Sequence, residues 1–222
     1  MYRYSDTPIL AQKLPQLLTR TYARGETIAT SSDINALYFI KQGFVKRFAI
    51  KNDGSINVLG ISGSGEMFGI TYLLHTLSSR RAYDGEEVYY CEAINDVTVY
   101  TMDADELLAS LTENDALYKD LFTMISSQYA SDLWLLENRS LSTAVKRVAH
   151  LMIFYLARYG KKDASGWQLA VPLTQQDLAD ILDLTRETVS LAISELRAQK
   201  LVQGSRTLVI PDIDALRAKA YS

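Results

Sequence analysis

The hydrophobic and polar positions change rhythm along the 222 residues. From Tyr22 to about Met102, short apolar runs alternate with polar positions and are punctuated by glycine. They are ETIAT after Gly25, ALYFIKQ before Gly43, FVKRFAI before Lys51, INVLGI, VYYCEAI and VTVYTM. Asn52-Asp53-Gly54 between two of these runs predicts a hairpin, because the turn needs positive φ and glycine adopts it without strain. Gly60, Gly63, Gly65 and Gly69 follow at close spacing. Many short strands with such turns predict an antiparallel sandwich or barrel. Ahead of them ILAQKLPQLLT, residues 9–19, reads as a short amphipathic helix or turn interrupted by Pro15.

The period then becomes helical. Asp103-Ala104-Asp105-Glu106 opens a short helix, with its acids at the positive end of the dipole. From about Glu113 to Asn138 one long helix is expected, roughly 39 Å at the usual rise per residue. Leu117, Leu121, Met124, Gln128 and Leu135 fall on a 3-4-3-4 repeat, with Ser131 a weak member. A second stripe runs beside it through Tyr118, Phe122, Ile125, Tyr129 and Leu136. Two stripes mean two surfaces to cover, one on the β domain and one on a partner helix across a dimer axis. The first stripe is taken as the dimer seam; the alternative is that both pack within one monomer. Ser140 to Ser142 interrupts the helix and is a candidate hinge. Ala144 to Tyr159 reads as another amphipathic helix, and 160–166 as a polar loop. The expected domains are therefore 1–112, 113–139 for the dimerisation helix, and 140–222.

TQQDLADILDLTRETVSLAISELRAQK, residues 174–200, reads as two short helices joined by a tight turn. Leu178, Ala179, Ile181 and Leu182 give the first an apolar face; Val189, Ala192, Ile193 and Leu196 give the second one. Thr174 with Asp177 makes a capping-box-like start, and Thr185 is placed to cap the second helix. Glu187, Ser190, Leu191 and Ser194 lie opposite the apolar stripe. This is the layout of a helix-turn-helix, buried on one side and offered to a major groove on the other. The plainer alternative is a pair of core helices. LVQGSRTLVI then reads as a hairpin with Gly204-Ser205 at its tip, a natural wing. Pro211 stops that strand and Asp212 caps a last short helix to Lys219.

Composition is that of an ordinary globular chain, 48% hydrophobic and 22% charged. Cys91 is the only cysteine, which excludes a disulfide framework, a CxxC zinc site and a cysteine-ligated iron–sulfur cluster. MYRYSDTPIL lacks a basic start and an apolar core, and no apolar run reaches membrane-spanning length, so a cytoplasmic protein with no membrane partner is expected. Net charge is −3, yet its distribution is uneven. Residues 1–139 carry 12 Lys+Arg against 18 Asp+Glu, net −6, while residues 140–222 carry 11 against 8, net +3. An acidic first part joined to a basic second part suits a sensor coupled to a DNA reader.

ALYFIKQGFVKRF, GSGEMFG and TRETVSLAISEL, in that order, resemble the cyclic-AMP receptor protein/FNR (CRP/FNR) superfamily of bacterial transcription regulators, over about residues 15–218. The resemblance implies an α+β chain: an N-terminal antiparallel β-roll, jelly-roll-like with the cyclic-nucleotide-binding-domain fold, then a long dimerisation helix and a C-terminal winged helix-turn-helix. It implies a homodimer on a pseudo-palindromic double-stranded DNA site, with recognition helices about 34 Å apart. The stretch Arg158 to Trp167 lies where relatives touch RNA polymerase, which favours activation.

Relatives that bind cyclic AMP carry a Glu shortly after the glycine corresponding to Gly69, an Arg-Ser or Arg-Thr pair, and a Thr-Ser pair on the long helix. Here those places hold Ile70, Arg81-Ala82 and Asp132-Leu133. Ile70 cannot hold a ribose hydroxyl, so an effector other than cyclic AMP is expected. Gly69, Ile70, Tyr72, Arg80, Arg81, Tyr83, Tyr89 and Asp132 are the candidate pocket, whose aromatic walls and cations suit a small anionic or aromatic molecule. The plainer reading makes the tyrosines strand formers. His75 is a haem or metal ligand only in the weaker alternative, His150 reads as structural, and Cys91 as a buried small apolar residue. The two histidines are 75 residues apart and no nucleophile motif, Walker loop or dinucleotide fingerprint is present, so no enzyme is expected.

In the family an Arg-Glu pair and an Arg four positions beyond the Glu commonly read the half-site. Arg186 and Glu187 match, suited to guanine O6/N7 and cytosine N4, while the third position is Leu191, suited at most to a thymine methyl. Ser190 is a candidate base contact, and Thr185, Thr188 and Arg206 are candidate phosphate contacts. The expected function is a dimeric DNA-binding regulator under allosteric control. The alternatives are an effector-independent regulator, a redox or haem sensor of the same family, and a nucleotide sensor whose helix-turn-helix binds protein.

Overall fold

The structure, a computed structural model, describes residues 10–14, 17–30, 35–70, 89–204 and 208–222. Two compact units meet inside a helix: the first ends at Ser131 and the second runs Asp132–Ser222.

In the first unit the alternating runs form β1 (Leu18–Tyr22), β2 (Thr27–Thr30), β3 (Ala36–Gln42), β4 (Phe44–Ile50), β5 (Ile56–Gly63), β6 (Met67–Phe68), β7 (Tyr89–Ala93) and β8 (Val97–Asp103). They pair antiparallel in two sheets, ordered β1-β8-β3-β6 and β2-β7-β4-β5. β3 reads as an unbroken apolar run because both of its faces are covered. Tyr38 and Ile40 join Val45, Phe68, Ala93 and Val99 in a core shared by the two sheets. Leu37 and Phe39 face the other way, onto Leu107 and Leu111 of α1 (Ala104–Glu113) and onto Leu117 and Leu121 of α2 (Asp115–Ser140). Asp103 caps α1, accepting from the Asp105 and Glu106 amides. The β4–β5 turn closes as the Asp-Gly pair demands: Gly54 takes φ 81°, and Asp53 Oδ1 accepts from Ser55 N at 2.9 Å.

The second unit is built round α3 (Ala144–Tyr159), whose residues Val148 to Leu156 are all buried. Against it pack α4 (Gln175–Leu182), α5 (Arg186–Ala198) and α6 (Ile213–Tyr221), together with a sheet ordered β11-β10-β9, of strands Val209–Ile210, Gly166–Leu169 and Gly160–Asp163. The 26 residues of α2 run from the first unit into the second.

The structure corrects several expectations. Leu18 and Thr19 are not helical; they pair with Thr101 and Tyr100 of β8, and among the described residues of this stretch Leu10–Gln12 forms a short 3₁₀ turn. The long helix starts at Asp115, because Asn114 breaks it from α1 and its Oδ1 accepts from Ala116 N at 3.0 Å. The polar stretch 160–166 is a hairpin: its tip is tied by Asp163 Oδ1 to Ser165 N at 2.8 Å, and β10 is held from its other side by β11. Most consequentially, Leu117 and Leu121, taken as dimer-seam residues, are 3% and 5% exposed inside the first unit, with Met124 packed against the same cluster. Of the neighbouring stripe, Tyr118, Phe122, Tyr129 and Leu136 are exposed, as is Leu133, while Ile125 packs against that same cluster. Gln128 and Leu135 are half-buried.

Gly43 joins β3 to β4 at φ 95°, and a Cβ there would lie 2.4 Å from the Asp96 carbonyl oxygen. Gly43→Ala should destabilise the first unit by about 2 kcal/mol or more, strain and clash adding together. Gly54→Ala, also at positive φ but with nothing within 4 Å, should cost only about 1 kcal/mol. Denaturant unfolding of the two variants measures the difference; equal losses would remove the close-approach argument.

Candidate nucleic-acid interface

The helix pair is held by caps as much as by its core. Thr174 Oγ1 accepts from Asp177 N at 3.1 Å while Asp177 Oδ2 accepts from Thr174 N at 2.8 Å, a complete capping box on α4. α4 ends at Asp183, in the left-handed region at φ 51°, ψ 52°. A short polar side chain tolerates that region better than most. Leu184 N then donates to Ala179 O at 3.0 Å, closing the turn. Thr185 Oγ1 caps α5, accepting from Thr188 N at 3.1 Å, and the two hydroxyls lie 2.9 Å apart. α5 buries Val189, Ala192, Ile193 and Leu196. Arg186, Glu187 and Leu191 are exposed on the opposite side, Leu191 at 73%, and Ser190 is half-buried. Three of the four expected base-reading residues, Arg186, Glu187 and Leu191, thus face solvent on one helix, with Ser190 between them partly covered. The Thr185 and Thr188 hydroxyls are engaged with each other and with the cap.

Behind α5 the chain turns at Lys200, φ 59°, and Leu201 N donates to Leu196 O at 2.9 Å. Arg197 Nη2 donates to Gly204 O at 2.8 Å and so ties α5 to the start of the wing. Gln203 and Val209 exchange both backbone hydrogen bonds, at 2.8 and 3.0 Å, closing the wing's stem. Ile210 pairs with Trp167 of β10, and a Cβ on Gly166 would meet the Ile210 carbonyl oxygen at 2.6 Å. Arg206, expected on a phosphate, lies outside the described residues, as do Tyr72, His75, Arg80, Arg81 and Tyr83 of the expected effector pocket.

Of the remaining pocket candidates, Gly69 takes φ 90°, Ile70 packs against the Leu37–Phe39–Leu107 cluster, and Tyr89 is half-buried on β7 opposite Ala49. Asp132 belongs to the second unit. Cys91 is 4% exposed, and burial pushes its thiol up to about 12 against a smaller opposing effect of Arg47. The reactive thiolate is accordingly suppressed. Among the described residues no cluster of three His, Cys, Asp or Glu is placed to hold a metal, and no helix is long and apolar enough to cross a membrane.

A two-sheet roll followed by a long helix and a capped, winged helix-turn-helix is the architecture of a two-domain DNA-binding regulator. Family models agree: the cyclic nucleotide-binding domain matches residues 19–114 and the Crp-like helix-turn-helix domain residues 146–219. The chain is 28% identical over 211 residues to the nitrogen fixation regulation protein FixK of Rhizobium meliloti, covering 90% of this chain and 86% of that one. It is 23% identical to a CRP-like cAMP-activated global transcriptional regulator of Mycobacterium tuberculosis, covering 95% and 92%. Its fold matches the structure of FixK2 from Bradyrhizobium japonicum at a TM-score of 0.74 and 22% identity, over 92% and 97% of the chains. The chain belongs to the CRP/FNR family of DNA-binding transcription regulators, a family of regulators rather than of enzymes.

Sequence reasoning missed one cluster in the second unit. Fully buried His150 of α3 stacks on Trp134 of α2, centroids 3.5 Å apart, and Trp134 also stacks on Phe154 at 4.5 Å. Asn138 Nδ2 lies 3.2 Å from His150 Nδ1, and His150 Nε2 lies 2.9 Å from Tyr221 Oη. The tautomer that satisfies both carries its proton on Nε2 and donates to the tyrosine. The available signal was two i, i+4 pairs, Trp134 with Asn138 and His150 with Phe154, on consecutive helices.

Burial depresses the His150 pKa from 6.5 to about 4. As pH falls below 6.5 the unfolded chain takes the proton first, so stability is full above that value and declines until pH about 4. The loss should reach at most about 3 kcal/mol. Unfolding followed by tryptophan fluorescence between pH 7 and 4 should show this slope, flattened in His150→Gln; an unchanged slope in the variant would assign it to other groups.

Proposed function

We propose that the protein is a homodimeric transcription regulator reading a pseudo-palindromic duplex site, controlled by a small effector other than cyclic AMP bound within the β-roll. The observation that carries the DNA-reading part is the division of α5, buried along Val189, Ala192, Ile193 and Leu196 and exposed along Arg186, Glu187 and Leu191. Arg186 takes a guanine and Glu187 a cytosine amine, while Ser190 and Leu191 tune the neighbouring positions. Phosphates are met by the wing with Arg206, and by the start of α5, where Thr185 and Thr188 set the geometry and the free backbone amides donate. The net +3 of residues 140–222 supports the same reading.

The dimer seam is the exposed stripe of α2: Tyr118 (49% exposed), Phe122 (71%), Tyr129 (64%), Leu133 (46%) and Leu136 (58%). A run of large apolar side chains along one helix asks for a partner surface, and a second copy of the same helix supplies it. The β9–β10 hairpin, with Lys161 and Lys162 exposed, is the surface offered to RNA polymerase, and the protein works in the cytoplasm. Effector occupancy shifts α2 and the DNA-reading unit between binding-competent and incompetent arrangements.

Selection of bound sequences from random duplex DNA should yield an inverted repeat. Arg186→Ala should then cost about 1–3 kcal/mol on that site and relax one base position per half-site; equal loss on unrelated DNA would refute base reading. Phe122→Asp should convert the protein to a monomer in sedimentation experiments, where Leu121→Asp should instead unfold the first unit. A dimeric Phe122→Asp protein would move the seam elsewhere.

A further inference from the structure

The last turns of α2, from Asp132 to Ser140, carry contacts of their own into the helix-turn-helix. Asn138, 1% exposed, sits where the chain turns from α2 into α3. Its Nδ2 donates to Arg147 O at 2.8 Å, and its Oδ1 accepts from Arg147 Nε at 3.5 Å. Arg147 carries the connection on: its Nη2 donates to Leu182 O at short range. Leu182 is the last residue of α4, and the next residue is Asp183, whose left-handed turn aims α5.

The chemistry of this connection is specific. The last carbonyls of a helix have no partner within it and gather at the negative end of its dipole, so a guanidinium is the fitting donor there. Arg147 is half-buried; burial and Arg139 lower its pKa while Asp183 raises it, so the turn's own carboxylate helps to hold the cation. Asn138 thus holds Arg147 firmly at its backbone carbonyl and weakly at Nε, while the guanidinium holds Leu182, so a shift of the α2 end is passed through Arg147 to the turn.

We propose that the chain Asn138–Arg147–Leu182 couples the end of the long helix to the aim of the recognition helix, Arg147 acting as a positioning residue that touches no DNA. The inference rests on the reading of α5 as the DNA-contacting helix. Displacement of the α2 end moves Asn138, Asn138 moves the guanidinium, and the guanidinium releases or holds the turn that sets α5.

The test uses the full-length chain and the duplex it selects from random DNA. Arg147→Met should lower affinity for that duplex about tenfold or more, as expected for a lost charge-assisted hydrogen bond. Binding to an unrelated duplex at low salt should stay unchanged. Arg147→Lys, able to serve one partner but not both, should fall between. Amide hydrogen exchange should quicken at residues 183–188 and not in α6. Asn138→Ala combined with Arg147→Met should cost no more than Arg147→Met alone, because both break one path. Variants that bind the selected duplex like wild type, that lose selected and unrelated DNA in equal proportion, or that combine additively overturn the coupling. If Arg147→Met does not fold, Arg147→Lys and Asn138→Ala carry the same comparison. A wild-type chain that selects no duplex overturns the DNA-reading proposal and this coupling with it; selection by wild type, matched by every variant, overturns the coupling alone.

Discussion

Val148 to Leu156 are buried without a break, so α3 has no solvent side along that stretch and each neighbour must offer it an apolar face. α5 does so with Val189, Ala192, Ile193 and Leu196, and α6 with Leu216 and Ala220. Because those faces are committed to the core, the opposite face of α5 is left outward. The exposure of Arg186, Glu187 and Leu191 is thus a result of how α3 is packed, and the caps at Thr174 and Thr185 fix where each helix begins. In the first unit β3 has the same role, with Leu37 and Phe39 committed to the helices and Tyr38 and Ile40 to the second sheet.

Among the described residues, two sets of buried polar groups fix local geometry inside this packing. Glu66, 3% exposed, accepts from Gly63 N at 3.1 Å and holds the tight loop before β6. Asn138 and His150 satisfy each other and their neighbours across the α2–α3 corner. A buried amide or imidazole left unpaired would cost about 1–3 kcal/mol, so these groups specify one geometry for the corner. The interruption at 140–142, which reads as a hinge in sequence, is bridged by Asn138, while the division between the compact units falls at Ser131 and Asp132, inside α2.

Local chemistry was the most legible part of the chain. The Asp53-Gly54 turn, the Thr174–Asp177 box, the Thr185 cap and the two faces of α5 each depend on residues within a few positions of one another. The family motifs carried the order of the domains. What escaped depends on partners distant in sequence. The hairpin 160–169 looks like a loop until β11 pairs with it from some 40 residues further on. Both stripes of α2 carry large apolar side chains, and only the folded first unit decides that Leu117 and Leu121 go inward while Phe122 stays out. Arg147 reaches Leu182 across 35 positions, a pairing no periodicity encodes.

The separation of faces on α5 bears on how such a regulator diverges. Its buried stripe, its caps and the left-handed turn at Asp183 carry the stability, whereas Arg186, Glu187 and Leu191 project into solvent and contribute little to it. Exchanges at exposed positions of this kind usually move stability by no more than about 0.5 kcal/mol. On the proposed reading of α5, a lineage can therefore rewrite the outward face one residue at a time, passing to new operators without an unfolded intermediate. Leu191, at the place where the family resemblance implies arginine, is the mark such drift would leave.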